Sequence, residues 1–228
     1  MRQVNVRIES KSGTTERALP VRNLVIAGWS GRDKEAMEHH IAELEAIDVR
    51  RPPRMPMYYR VSWARLTIDP IIEVLGAETS GEIEFVLTAL DGELYVGVGS
   101  DHTDRNLETS GISISKQVCD KPIADTFWPL EEVAGHWDRL LLRSHVVING
   151  DRQLYQEGSV ATMLSPSELI GGYANGGRLK EATVMFGGTL AARGGIRPAE
   201  RFEGELEDPM LTRSIAFAYD VRQLPDNG

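Results

Sequence analysis

Glu82 and Glu84 stand at i and i+2 in the apolar run S-G-E-I-E-F-V-L-T-A-L. On an extended strand they share one face while Ile83 and Phe85 take the other, with about 6.6 Å of rise between them. Two carboxylates so placed can converge on one ion, and donors that are all oxygen select Mg²⁺, Mn²⁺ or Ca²⁺ over zinc. The same pair also suits the solvated face of an ordinary strand. Asp101 closes the next run, E-L-Y-V-G-V-G-S, and a strand turning back beside the first delivers it to the pair as a third carboxylate. The alternative is that Asp101 and Asp104 cap the turn into N-L-E, as short acidic side chains do. D-H-T-D-R-N lacks the alternating ligands and turn glycine of a calcium loop.

His40 and Glu43 lie at i and i+3 of a helical pattern, hence on one face, where a carboxylate can orient an imidazole and keep it basic enough to take a proton. A solvated helix flank reads the same way. Lys116 follows the low-charge segment S-G-I-S-I-S, read as a small polar loop. Turned inward toward a metal it would stabilise a developing oxyanion or enolate; turned outward it is a surface lysine. His136, within H-W-D-R, reads as structural, and His102 is next to Asp101 but directed away from it if the strand continues. Cys119 is the single cysteine and reads as a small buried residue. G-V-G-S-D-H lacks the third glycine of a dinucleotide loop, G-W-S-G is not a nucleophile elbow, and neither a phosphate-binding P-loop nor H-E-x-x-H occurs.

The elements that must carry these groups are mostly strands. V-N-V-R-I-E and A-L-P-V-R-N-L-V-I-A flank K-S-G-T-T as a hairpin, and Asp91-Gly92 and Asn149-Gly150 mark two more. Asp33 sits at the N-cap position of K-E-A-M-E-H-H-I-A-E-L-E-A-I, a helix with Met37, Ile41 and Leu44 as its apolar stripe. R-R-P-P-R-M-P, Arg50 to Pro56, is a linker or rim loop, because proline removes donors and extends the residue before it. Ser165 opens S-P-S-E as a capping box. The sum is a mainly β, α+β chain, mostly antiparallel with few helices.

Its 228 residues suit one domain, and 41% hydrophobic with 26% charged residues is globular composition. A formal charge of −9 speaks against a general nucleic-acid binder, which needs a basic surface. No apolar run reaches the ~20 residues that span a bilayer, and the first residues lack the order of a signal peptide. With one cysteine, this leads to the expectation of a cytoplasmic protein.

In chain order the segments are A-G-W-S-G-R-D leading to His40 and Glu43 in H-x-x-E, R-R-P-P-R-M-P, S-G-E-I-E-F, S-D-H-T-D-R, S-K-Q-V, I-N-G, Y-Q-E-G-S-V-A-T-M and G-G-T. This succession, over residues 24–205, distantly resembles the fumarylacetoacetate hydrolase family. That family runs from an H-x-x-E helix through a proline-rich stretch, an E-x-E strand and N-D-x-S-A-R-D to a G-K-S-F loop continued by T-x-x-P. An N-G hairpin, R-Q-x-G-N-T-x-x-M and a G-T-P loop follow. Here Ser100 replaces the asparagine, Asp104 and Asn106 alter S-A-R-D, Tyr155 stands for the arginine of R-Q, and Leu190 follows the late threonine in place of proline. The chain also looks like a set of bacterial proteins grouped under an uncharacterised-domain label.

The resemblance implies a mixed β-roll with a few short helices, one domain over residues 1–228, with residues 1–56 as N-terminal hairpin, lid helix and linker, and a homodimer or higher homo-oligomer. It implies Glu82, Glu84 and Asp101 as ligands to Mg²⁺ or a similar ion, and His40 with Glu43 as the group that activates water. Lys116 then stabilises charge on the substrate, and Gly188 and Thr189 hold a substrate carboxylate or carbonyl. Arg105 matches the arginine after the metal aspartate, with a substrate-binding or structural role. The implied reaction is hydrolysis of a C–C bond in a small 2-oxo acid or 1,3-dicarbonyl of acylpyruvate type. Decarboxylation, hydration or isomerisation would use nearly the same parts. The reading outside enzymes is a β-rich binding protein.

Overall fold

The computed structural model describes residues 1–35, 37–38 and 51–225. The helix expected behind Asp33 begins there: residues 34–35 and 37–38 are helical, and the Glu35 N–H donates to Asp33 Oδ1 at 3.0 Å. His40 and Glu43 lie outside the described residues.

The strands are β1 (Arg2–Ser10), β2 (Gly13–Val21), β3 (Asn23–Gly28), β4 (Met57–Val61), β5 (Leu66–Thr67), β6 (Ile71–Leu75), β7 (Thr79–Ser80), β8 (Ile83–Leu90) and β9 (Glu93–Ser100). They continue with β10 (Thr103–Asp104), β11 (Lys121–Pro122), β12 (Thr126–Pro129), β13 (Leu141–Ile148), β14 (Asp151–Ser159), β15 (Thr183–Thr189), β16 (Arg201–Asp208) and β17 (Arg213–Leu224). One eight-stranded sheet has the order β2-β1-β12-β9-β8-β15-β3-β4, and a five-stranded sheet the order β14-β13-β16-β17-β6. Most neighbours are antiparallel, with parallel pairs β1–β12, β15–β3, β17–β6 and β11–β5 making the architecture mixed.

The core divides across the large sheet. Ile83, Phe85 and Leu87 of β8 point to one cluster with Leu142, Val146, Phe202, Leu206 and Tyr219 of the second sheet. Val86 and Leu90 point the other way, to a cluster with Val4, Val6 and Ile8 of β1 and Leu24 and Ile26 of β3. Strands β1 and β3 are far apart in the sheet order yet share that cluster, so the sheet curls around it. β8 is therefore buried on both faces along its whole length, whereas β13 and β16 alternate between buried and half-buried positions. An acid placed on β8 cannot reach bulk water, which removes the solvated-face reading of Glu84.

The turn signals hold. Asp91 and Gly92 both have positive φ, as do Asn149 and Gly150, the backbone that a two-residue hairpin requires. Ser165 and Glu168 complete their capping box. The segment before Lys116 differs from expectation: Ile112–Val118 is a helix, after a shorter one at Arg105–Glu108. The small polar loop expected there is instead helical, with part of its polar side turned inward. Ser115 and Lys116 are buried while Ile114 is 52% exposed.

Candidate metal centre

Glu84 is the second residue of β8 and Glu82 is the residue just before that strand. The β8–β9 hairpin pairs Ile83 with Ser100, and the Asp101 N–H donates to the Glu82 carbonyl at 2.9 Å, so Asp101 arrives beside the pair. The three carboxylates offer ligand atoms that all lie within 4.8 Å of one another. Asp101 and Glu84 are buried and Glu82 is half-buried. Asp101 Oδ1 is a buried acceptor with no hydrogen bond. An oxygen-only set with an acceptor left over fits a hard divalent cation.

Three cations surround these acids. The Lys116 ammonium, from the inner face of helix Ile112–Val118, donates to Asp101 Oδ2 and lies 4.0 Å from Glu82 Oε2. Lys121 Nζ lies 3.3 Å from Asp101 Oδ1 and donates to the carbonyls of His102 and Cys119 at 2.5 and 3.1 Å. Arg105 lies 3.1 Å from Glu82 Oε1 and also holds Glu108 and the Ser80 hydroxyl. Burial opposes charge on Asp101, but Lys116 and Lys121 together outweigh it and hold its carboxyl below the usual range. Burial, with Asp101 beside it, raises the Glu84 carboxyl well above its ordinary value. Lys116 is raised despite burial by Asp101 and Glu82, whereas burial lowers Lys121.

Backbone and neutral groups fix the acids in place. Gly188 has φ +107°, which turns its N–H onto Glu84 Oε2 at 2.7 Å; a Cβ there would collide with Ser30 Oγ. The Thr189 hydroxyl donates to the Ile83 carbonyl at 2.7 Å and accepts from Gln156 Nε2 at 2.8 Å. Both residues that the resemblance assigns to substrate thus sit on β15, beside β8, with these groups engaged inside the protein. Gln156 also accepts from the Ile83 N–H at 2.9 Å, locking β8 to the second sheet. Ser100, standing for the family asparagine, accepts from the Glu82 N–H at 3.2 Å and bonds Tyr219 Oη at 2.8 Å. Tyr219 continues to His102 Nδ1, and His102 Nε2 to Thr79 Oγ1, each at 2.9 Å. Burial, helped by Lys121 and Arg105, pushes the His102 imidazole down to about 3, so it serves as a neutral strut.

The sequence-predicted residues Glu82, Glu84, Asp101, Arg105, Lys116, Gly188 and Thr189 therefore meet around one point. Asp104 caps helix Arg105–Glu108 instead, accepting from the Leu107 N–H at 3.0 Å. Tyr155, in place of the family arginine, is buried beneath the Arg197 guanidinium, 5.0 Å from its ring centre. Sequence reasoning missed Lys121, Gln156 and Tyr219. For Lys121 a signal exists: T-x-x-P is met by Thr126 to Pro129, and Lys121 precedes it more closely than Lys116 does. Gly99 then admits this lysine strand, since a Cβ there would stand 2.7 Å from the Pro122 carbonyl oxygen.

Fold and site together define a mainly β, α+β protein with a carboxylate centre suited to a divalent cation. The chain belongs to the family described as Protein of unknown function (DUF2848), whose model matches residues 27–219. No curated protein sequence matches it. Among solved structures it is similar to Cg1458 at 12% identity, over 98% of this chain and 100% of that one, with a TM-score of 0.66. The complex of 2-keto-3-deoxy-D-arabinonate dehydratase with magnesium and 2,5-dioxopentanoate matches at 15% identity, over 92% of this chain and 77% of that one, with a TM-score of 0.61. These likenesses establish the shared fold. No described helix is long and apolar enough to cross a membrane.

Proposed function

We propose that the chain is a single-domain enzyme of the fumarylacetoacetate hydrolase type that hydrolyses a C–C bond in a small 2-oxo acid or acylpyruvate-like 1,3-dicarbonyl. The observation that carries this reading is the convergence of Glu82, Glu84 and Asp101 within 4.8 Å, with Asp101 Oδ1 unbonded and lysines alongside. Mg²⁺, or Mn²⁺ or Ca²⁺ in its place, would be held by these three residues and supply Lewis acidity toward adjacent substrate oxygens. His40, oriented by Glu43, takes the proton of the attacking water. Lys116 faces the oxygen on which negative charge develops as the C–C bond breaks. Arg105, Gly188 and Thr189 line the substrate side. Exposed Ile114 and Val118 on the Lys116 helix support assembly as a homodimer or larger homo-oligomer.

A second reading has a specific observation in its favour. The dehydratase that shares the fold was solved with magnesium and an oxo-acid, which supports loss of water from a 2-oxo acid as the alternative reaction. Assays with acylpyruvates, oxaloacetate and 2-oxo-3-deoxy sugar acids in Mg²⁺, for the parent and His40→Ala, separate the readings. Acylpyruvate cleavage lost in the variant supports hydrolysis; turnover of sugar acids alone favours dehydration. Full activity of His40→Ala on a confirmed substrate removes the assigned base.

A further inference from the structure

We infer, on the metal-dependent oxo-acid reading above, that Trp29 determines which substrates the centre accepts: its indole packs against the far end of the 2-oxo acid and selects a planar, aromatic group over a polyhydroxylated chain. Trp29 follows the last residue of β3 with φ +56°. That backbone is a genuine outlier for a bulky side chain, whereas glycine takes it freely. Such strain persists only where the surroundings hold the residue in place, and it gathers at sites that bind ligands. Here the holding groups are visible. Trp29 Nε1–H donates to Tyr59 Oη at 3.2 Å. Gly28 lets the Tyr59 ring come close, since a Cβ there would stand 2.7 Å from Tyr59 Cε2.

The Trp29–Tyr59 pair is tied to both sides of the carboxylate centre. Ser30, the next residue, is buried and donates to the Gly187 carbonyl at 2.9 Å. It fills the space over Gly188, whose N–H holds Glu84. Tyr59 belongs to β4, and at the end of that strand the Ser62 N–H donates to Gln117 Oε1 at 2.9 Å, beside Lys116. Burial raises the Tyr59 phenol, while the bond from Trp29 and the Lys116 charge pull it down, so the phenol lies within electrostatic reach of that ammonium. Both rings are half-buried. The single N–H of the indole is spent on Tyr59, and what Trp29 presents beyond it is apolar ring surface. An aryl group stacks on such a surface. A chain of hydroxyls placed there gives up hydrogen bonds to water without replacing them.

Calorimetric titrations of the full chain in millimolar Mg²⁺ test this with four probes: oxalate, pyruvate, phenylpyruvate and 2-oxo-3-deoxygluconate. Oxalate grips the ion and has no far end, so it reports on the centre alone. The parent is expected to bind phenylpyruvate at least about tenfold more tightly than pyruvate or the sugar acid. Trp29→Gly, which takes the same φ without strain, should cut that preference to about threefold or less while oxalate affinity stays within about twofold. A parent that binds oxalate but does not favour phenylpyruvate overturns the role of Trp29 and leaves the metal centre standing; this arm needs no variant to fold. An undiminished preference in Trp29→Gly, or oxalate weakened in step with phenylpyruvate, overturns it as well. Failure of the parent to bind oxalate with Mg²⁺ overturns the metal-centre reading and the role of Trp29 together.

Discussion

Lys121 Nζ stands 3.3 Å from Asp101 Oδ1, with both side chains sealed from solvent. Removing Lys121 leaves the buried Asp101 with Lys116 as its remaining lysine partner, and losing one partner of such a buried pair costs about 3–5 kcal/mol. Lys121→Met should lower the urea midpoint by a corresponding amount in metal-free buffer, with the m-value unchanged. A loss below about 0.5 kcal/mol would mean that the pair does not hold the site together.

Gly188 supplies Glu84 with its hydrogen bond only because its backbone is left-handed and side-chain free. Gly188→Ala places a Cβ against Ser30 and strains φ, at a cost on the order of 1–3 kcal/mol. Thermal unfolding should show the loss. Equal melting of variant and parent would show that the segment adjusts freely.

Gln156 bridges Ile83, Thr189 and the Leu190 carbonyl from the second sheet, and also accepts from Ser144. Gln156→Leu leaves several buried groups unpaired, each worth about 1–3 kcal/mol. The variant should unfold at clearly lower urea and bind Mn²⁺ more weakly, because β8 loses its tether. Unaltered stability would assign the amide no structural role.

Burial pushes the Cys119 thiol up to about 11, so it stays protonated at neutral pH. The folded chain then keeps a proton that the unfolded chain releases near the ordinary thiol range. This contribution to stability is full below that range and is lost as pH rises toward 11. A thiol reagent near pH 8 should react with the folded protein roughly a hundredfold more slowly than with the protein in urea. Similar rates would contradict a buried, inert thiol.

Much of this centre was legible locally. Asp91-Gly92 fixed the β8–β9 hairpin, and that hairpin alone brings Asp101 to Glu82 and Glu84. Other parts depended on contacts far apart in sequence. The low-charge segment S-G-I-S-I-S reads as a small polar loop, whereas Ile112–Val118 is a helix that buries Lys116 against the acids. Lys121 is buried completely, contrary to the usual surface preference of lysine, and Gln156 and Tyr219 meet the site from the second sheet. Their types and spacing carry no mark of that, because strand order is set by long-range pairing.

Anomalous diffraction from crystals soaked in Mn²⁺ tests the carboxylate centre most directly. The metal-site reading requires one strong peak within about 2.6 Å of oxygens from Glu82, Glu84 and Asp101. A map without a peak there at millimolar Mn²⁺ would contradict it.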